Sequence, residues 1–175
     1  MIIGIAGPIG AGKTTVASML PVDAHLQWAD PLYSGLAAML GVPESILRGR
    51  DKKEDPIGWL GVSPRRLLQT LGTEWGRNLI RDDLWVLLTM RAIEQAGYRH
   101  VAICGTRFRN EMDAIRQAGG EVWWVDPPPT HTETLTGHAS EGLIKPLDCD
   151  RIIQNNGSLR DLEAAVRATW EAATR

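Results

Sequence analysis

Met1-Ile2-Ile3-Gly4-Ile5-Ala6-Gly7-Pro8-Ile9-Gly10-Ala11-Gly12-Lys13-Thr14 is the stretch on which the reading of this chain turns. Residues 1–6 are short, apolar and partly β-branched, the pattern of a buried strand. Gly7 to Thr14 match G-x-x-x-x-G-K-S/T, a phosphate-binding loop. Thr15-Val16-Ala17-Ser18-Met19-Leu20 can continue as a helix, so strand, glycine loop and helix follow in the order the motif needs. Glycines let backbone N–H groups turn toward an anion, and the start of a helix adds partial positive charge. Gly10, Ala11, Gly12, Lys13, Thr14 and Thr15 are the expected triphosphate contacts. Lys13 would reach the β- and γ-phosphates of ATP, and Thr14 would hold a Mg2+ ion.

The 175 residues suit a single domain with a sizeable core. A formal net charge of −2 gives no electrostatic footprint for nucleic acid. No apolar run approaches a membrane span, and no basic leader precedes the first strand. Cys104 and Cys149 read as reduced, buried thiols of a cytoplasmic protein, and no pair drawn from these two, His131 and His138 has zinc-ligand spacing.

Helix and strand patterns alternate along the chain, which predicts an α/β domain with a mainly parallel, five-stranded sheet flanked by helices. The strands are expected at residues 1–6, 25–29, 101–104, 121–125 and 151–153. Asp30-Pro31 and Ser63-Pro64 each read as a helix cap followed by proline at the first helical position. Residues 43–62 read as irregular and charged. Leu67, Leu68, Leu71 and Trp75 form one expected buried stripe. Leu159, Leu162, Val166 and Trp170 form another, behind a Ser158 cap. Asp82 or Asp83 is expected to cap the helix ended by Gly97, and Asn110 the helix ended by Gly119-Gly120. Two excursions leave the carboxyl ends of strands, where open α/β sheets bind ligands. One, at 31–85, is suited to an acceptor, and the other, at 126–142, to a lid.

Moving a γ-phosphoryl group is mostly positioning and neutralisation of charge. Arg65, Arg66, Arg77 and Arg81 lie in the first excursion, and Arg107 and Arg109 just past the third strand. One arginine placed on the transferring group contributes roughly 4–7 kcal/mol to lowering the barrier. The 126–142 loop contains no lysine or arginine, so that cation must come from the body of the site, or the loop covers the ligand through His131, His138 and backbone groups. Acidic candidates are Asp30, Glu74, Asp82, Asp83 and Glu111. A phosphate acceptor is already an oxyanion near neutral pH, so the reaction needs no general base. Asn-Lys-x-Asp, which would read guanine, is absent, and Asp55-Pro56-Ile57-Gly58 matches D-x-x-G without a strand before it.

Further along, the chain resembles the deoxynucleoside monophosphate kinases of tailed bacteriophages over nearly its whole length. The resemblance rests on Gly7–Thr14, Ala29-Asp30-Pro31-Leu32 and Leu67-Leu68-Gln69-Thr70-Leu71-Gly72-Thr73-Glu74-Trp75-Gly76-Arg77. It continues in Arg107-Phe108-Arg109-Asn110-Glu111, His138-Ala139-Ser140-Glu141 and Asn155-Asn156-Gly157-Ser158. It implies a phosphate-loop kinase fold and transfer of phosphate from ATP to a deoxynucleoside monophosphate, with Mg2+. It also implies that Lys13, Arg77, Arg107 and Asp30 act at the reacting groups, and that the turn at 155–157, with Asn156 and Gly157 as its contacts, passes beside the donor base. Arg65, Trp75 and Glu111 join Asp30 and Arg77 as expected acceptor contacts, with Trp75 offering a stacking face. One departure stands out: similar kinases read Asp-Val-Arg-Phe where this chain has Gly105-Thr106-Arg107-Phe108. The Thr106 hydroxyl is the candidate replacement for part of that lost carboxylate. The implied partners are small nucleotides, with no nucleic acid and no membrane, and a homodimer is left open. A kinase of dephospho-coenzyme A or phosphomevalonate type, and a nucleotide-binding module without transfer activity, stay open at this point.

Overall fold

A computed structural model describes residues 1–49, 52–127 and 144–175. The chain divides into two compact units, one of Met1–Gln27 with Ile93–Arg175 and one of Trp28–Ala92. The first is built on a five-stranded sheet: β1 Ile2–Ala6, β2 Ala24–Gln27, β3 Val101–Cys104, β4 Glu121–Asp126 and β5 Arg151–Gln154. The strand order is β2-β3-β1-β4-β5 and every pairing is parallel. β1 lies at the centre and is buried along its whole length, as its unbroken apolar run requires. Ile3 pairs with Ala102 on one side and Glu121 on the other.

Side chains of a strand alternate between faces. Ile3 and Ile5 of β1, with Ala102, Trp123, Val125 and Ile153, pack against Ala11, Val16, Ala17 and Leu20. The last three lie in or just beyond helix α1, Lys13–Ser18. Leu162 and Val166 of the C-terminal helix, Leu159–Ala173, join the same core. The helix Arg109–Gln117 contacts β1 and β4 and buries Met112 and Ile115. Each such large apolar side chain, once enclosed, contributes about 1.5–3 kcal/mol.

The unit Trp28–Ala92 is helical: α2 Asp30–Leu40, α3 Glu44–Arg48, α4 Pro64–Gln69, a π-helix Thr70–Ile80, and the start of α5 Leu84–Ala96. Its core is Leu32, Tyr33, Leu36, Ala37, Leu47, Leu68 and Trp85. Among the described residues the remaining helices are α6, Arg109–Gln117, and α7, Leu159–Ala173, with a 3-10 turn at Pro146–Asp148 between them. No helix among the described residues is long and apolar enough to cross a membrane.

Several expectations from the sequence are corrected. β2 ends at Gln27, so Trp28 and Ala29 are not strand. Asp30 does not cap α2; it is the first helical residue, and its carboxylate pairs with Arg48 instead. Residues 44–48, read as irregular, are helical. The π-helix takes Trp75 out of the expected stripe and leaves it 45% exposed. Asn110 lies inside α6; the amides ahead of that helix are met by Glu111, whose Oε2 accepts from Arg107 N at 2.7 Å and Phe108 N at 3.1 Å. Leu159 is exposed, and the stripe of α7 begins at Leu162. Neither cysteine is in a disulfide, and both are only half-buried. Ser63-Pro64 and Ser158 form the caps their sequence predicts, the latter with its hydroxyl and amide both on Asp161.

Candidate functional site

The phosphate loop joins the carboxyl end of β1 to the start of α1. Gly7, Gly10 and Gly12 all have positive φ, with Gly12 at 94°. Ala11 N donates to Pro8 O at 3.2 Å, which closes the loop, and Ala11 itself is fully buried. Lys13 folds back over it, its Nζ donating to Gly7 O at 2.8 Å and Pro8 O at 2.6 Å. Those contacts hold an ammonium group across a concave turn of backbone. The first amides of a helix have no carbonyl partner within it. Here they belong to Lys13, Thr14 and Thr15, and the two threonines are exposed.

That donor set fits a triphosphate. N–H groups do not ligate Mg2+, which keeps waters and substrate phosphate oxygens and needs few protein oxygens. Thr14 supplies a hydroxyl at the right turn, and among the described residues no cluster of three carboxylate, thiol or imidazole groups offers a rival metal cage.

Asn155, in the turn after β5, reaches this loop. Its Nδ2 donates to Ala11 O at 2.9 Å. The contact is close enough that a Cβ on Gly12 would lie 2.6 Å from the same nitrogen. Asn156 and Gly157 follow at the surface, in a turn pinned by Asp161, whose Oδ2 accepts from Ser158 N at 2.9 Å.

The exit of β3 lies beside the loop strand. Gly105 N and Thr106 N both donate to Ile5 O, at 3.0 and 3.1 Å. Gly105 has φ +82°, a backbone state that disfavours the aspartate seen in similar kinases. Thr106 is 3% exposed, with its hydroxyl oxygen packed beside Gly4 of β1. Arg107 is exposed, and Glu111, buried at 3%, secures the backbone ahead of α6.

In the helical unit, Asp30 sits in a charged cluster that the sequence did not foreshadow. Arg48 donates to Asp30 Oδ1 at 2.7 Å and to Glu44 Oε2 at 2.8 Å. Its guanidinium carbon lies 4.2 Å from the centroid of the Tyr33 ring, a cation–π contact. Lys53 donates to Tyr33 Oη at 2.8 Å. Burial opposes the charge on Arg48, but the hydrogen bonds to Glu44 and Asp30 outweigh it and hold its pKa above the ordinary value.

Arg77, on the π-helix, donates to Asp82 O at 2.8 Å, and only 11% of its side chain is exposed. Arg65 pairs with Glu54. Trp75 stands 6.5 Å from Trp85, centroid to centroid. The Trp85 indole N–H donates to Gly72 O at 2.8 Å. Its ring lies so near Gly76 that a Cβ there would be 2.5 Å away.

The sheet unit thus gathers Gly10, Ala11, Gly12, Lys13, Thr14 and Thr15, and Asn155 ties the Asn156-Gly157 turn to them. The helical unit gathers Asp30 with Arg48, while Arg77 and Arg65 each turn to a carboxylate of their own. His131, His138 and most of the expected lid lie outside the described residues. Sequence reasoning gave no role to Arg48 or Lys53, and placed Asn155 only in the 155–157 turn expected beside the donor base. Glu44 and Arg48, four apart, were the one local signal for the first of these.

A model of the deoxynucleotide monophosphate kinase family matches residues 57–166. The deoxynucleoside-5'-monophosphate kinase of Escherichia phage T5 is 34% identical over 180 residues, covering 67% of this chain and 72% of its own. A protein of Acanthamoeba polyphaga mimivirus bearing the same family name is 27% identical over 199 residues, covering 100% and 98%. Shikimate kinase from Aquifex aeolicus vf5 superposes with a TM-score of 0.54 at 12% identity, covering 99% of this chain and 98% of that one. The last likeness concerns the fold alone and agrees with a parallel sheet carrying a phosphate loop after its central strand. With that loop in place, the match over residues 57–166 and the likeness to the T5 enzyme put this chain in the deoxynucleotide monophosphate kinase family.

Proposed function

We propose that this protein transfers the γ-phosphoryl group of ATP to a deoxynucleoside monophosphate, giving ADP and a deoxynucleoside diphosphate. The observation that carries this reading is the Lys13-closed phosphate loop after β1, in a chain of this family. An oxygen of the acceptor phosphate attacks the γ-phosphorus. A new P–O bond forms as the bond from the γ-phosphorus to the β–γ bridging oxygen breaks, and ADP leaves with that oxygen. The attacking oxygen is already ionised, so no protein base takes part.

Lys13 exchanges its carbonyl partners for β- and γ-phosphate oxygens. The first-turn amides of α1 take the rest of the charge, with Thr14 holding Mg2+. When bound, that ion neutralises charge on the phosphate oxygens and orients them. Asn156 and Gly157 flank the donor base. Arg77 and Arg107 contact the acceptor or transferring phosphate, and Glu111 fixes the backbone that carries Arg107. Asp30 and Arg65 serve the acceptor, with Trp75 as a stacking face. Asp30 enters the reaction already paired with Arg48, which makes it an orienting acceptor of hydrogen bonds rather than a free charge.

In this reading residues 1–175 form one kinase domain, with the 31–85 excursion receiving the acceptor and the 126–142 loop serving as the lid. The partners are small nucleotides, and the place of work is the cytoplasm, that of the host if the chain is phage-encoded. Light scattering decides between monomer and homodimer. The deciding assay incubates purified protein with ATP, Mg2+ and each deoxynucleoside monophosphate in turn, and separates products by ion-exchange chromatography. Stoichiometric ADP and deoxynucleoside diphosphate are expected with at least one acceptor. ATP binding without phosphorylation of any acceptor would overturn the reading.

A further inference from the structure

The contact from Asn155 to the phosphate loop comes from a residue 144 positions away in sequence. Its partner is the Ala11 carbonyl, which is also the carbonyl of the peptide that carries the Gly12 N–H. A trans peptide is planar, with its C=O and N–H pointing in opposite directions. Holding the carbonyl on one side therefore aims the Gly12 N–H to the other. Gly12 has φ 94°, and a Cβ there would collide with Asn155 Nδ2. Asn155 is itself fixed: its backbone N donates to Asp126 O at 3.2 Å at the end of β4, and the following turn is pinned by Asp161. The reverse orientation of its amide would set two carbonyl oxygens against each other, so the donor must face Ala11.

We propose that Asn155 is a positioning residue of the phosphate loop: its amide holds the Ala11 carbonyl so that the Gly12 N–H is aimed at the bound triphosphate. The inference rests on the kinase reading and adds a device for pre-organising the anion cradle. Asn155 acts through the loop and does not touch the reacting atoms. The phosphate tail therefore feels its loss whether or not a base is attached.

Titration calorimetry of Asn155→Ala and Asn155→Asp, with inorganic tripolyphosphate and with ATP, both with Mg2+, tests this. Asn155→Ala is expected to weaken both ligands by the same factor, about five- to tenfold, the worth of one hydrogen bond. Asn155→Asp should weaken them further, because it removes the donor and sets a negative charge against the Ala11 carbonyl. The KM for the deoxynucleoside monophosphate should stay within about twofold of wild type. Unchanged tripolyphosphate affinity, with or without a loss for ATP alone, would overturn the proposal. If the wild-type protein binds neither ligand, it is the kinase reading that fails. Should the variants not fold by circular dichroism, the wild-type chain still decides. Its Gly12 amide resonance is expected to move on addition of tripolyphosphate, and a stationary Gly12 signal while other loop amides move counts against the inference.

Discussion

Lys13 holds its own loop shut, with its ammonium on the carbonyls of Gly7 and Pro8. In the proposed reaction the same cation leaves these carbonyls for phosphate when a triphosphate binds. Lys13→Ala is expected to lower kcat by at least roughly a hundredfold, the scale of losing one charge-stabilising donor. Its circular dichroism should match wild type, since α1 is held by Val16, Ala17 and Leu20 rather than by the lysine. A folded variant with full turnover would refute the role. Arg77 is placed differently. Its guanidinium ties the π-helix to the Asp82 carbonyl with little of the side chain exposed. Arg77→Ala is expected to raise KM for the acceptor several-fold more than KM for ATP, and steady-state kinetics with each substrate varied reads the difference. An equal rise in both would contradict an acceptor role.

At the scale of elements, the π-helix Thr70–Ile80 explains both a success and a failure of sequence reading. The motif 67–77 stands out in the sequence, yet its expected stripe assumed i→i+4 spacing. A π-helix bonds i→i+5, so each turn holds more residues and the stripe drifts. Trp75 moves outward, and Gly76 turns inward against Trp85. Gly76→Ala therefore sets a methyl group 2.5 Å from the Trp85 ring. A loss of about 1–3 kcal/mol is expected, the usual cost of overpacking. Urea unfolding checks it, and an unchanged midpoint would remove the packing argument. Caps divide in the same way. Ser63 and Ser158 need only their own next turn and were legible. Asp30 found Arg48, 18 residues on, and Asn110 was displaced by the reach-back of Glu111, neither of which a local cap rule anticipates.

At the scale of the molecule, five carboxylates among the described residues are held below their ordinary pKa values of 3.8 for aspartate and 4.5 for glutamate. Asp23 accepts from the backbone N–H groups of His100 and Arg99, Asp83 from Arg81, Glu121 from Arg151 and Trp123, Asp148 from the Lys145 N–H, and Asp161 from Ser158. A carboxylate depressed in the folded state adds stability that is complete above its unfolded pKa and is lost as pH falls through the folded one. The urea midpoint should be level from about pH 7 to pH 5 and fall below about pH 4. Glu121→Gln should flatten that fall while lowering stability at neutral pH. A midpoint that rose on acidification would contradict the assignment. Cys149 differs in sign: burial first, then Asp150 and Asp148, push its thiol up to about 11, so it stays protonated at neutral pH. By itself the sequence determined the parallel sheet and the phosphate loop after its first strand, because apolar runs, glycine spacing and turn residues are local properties. Only the tertiary structure decided that Arg48 answers Asp30 and that Asn155 reaches Ala11. A hydrogen bond between residues 144 positions apart is set by where two strands end, and no pattern along the chain encodes that meeting.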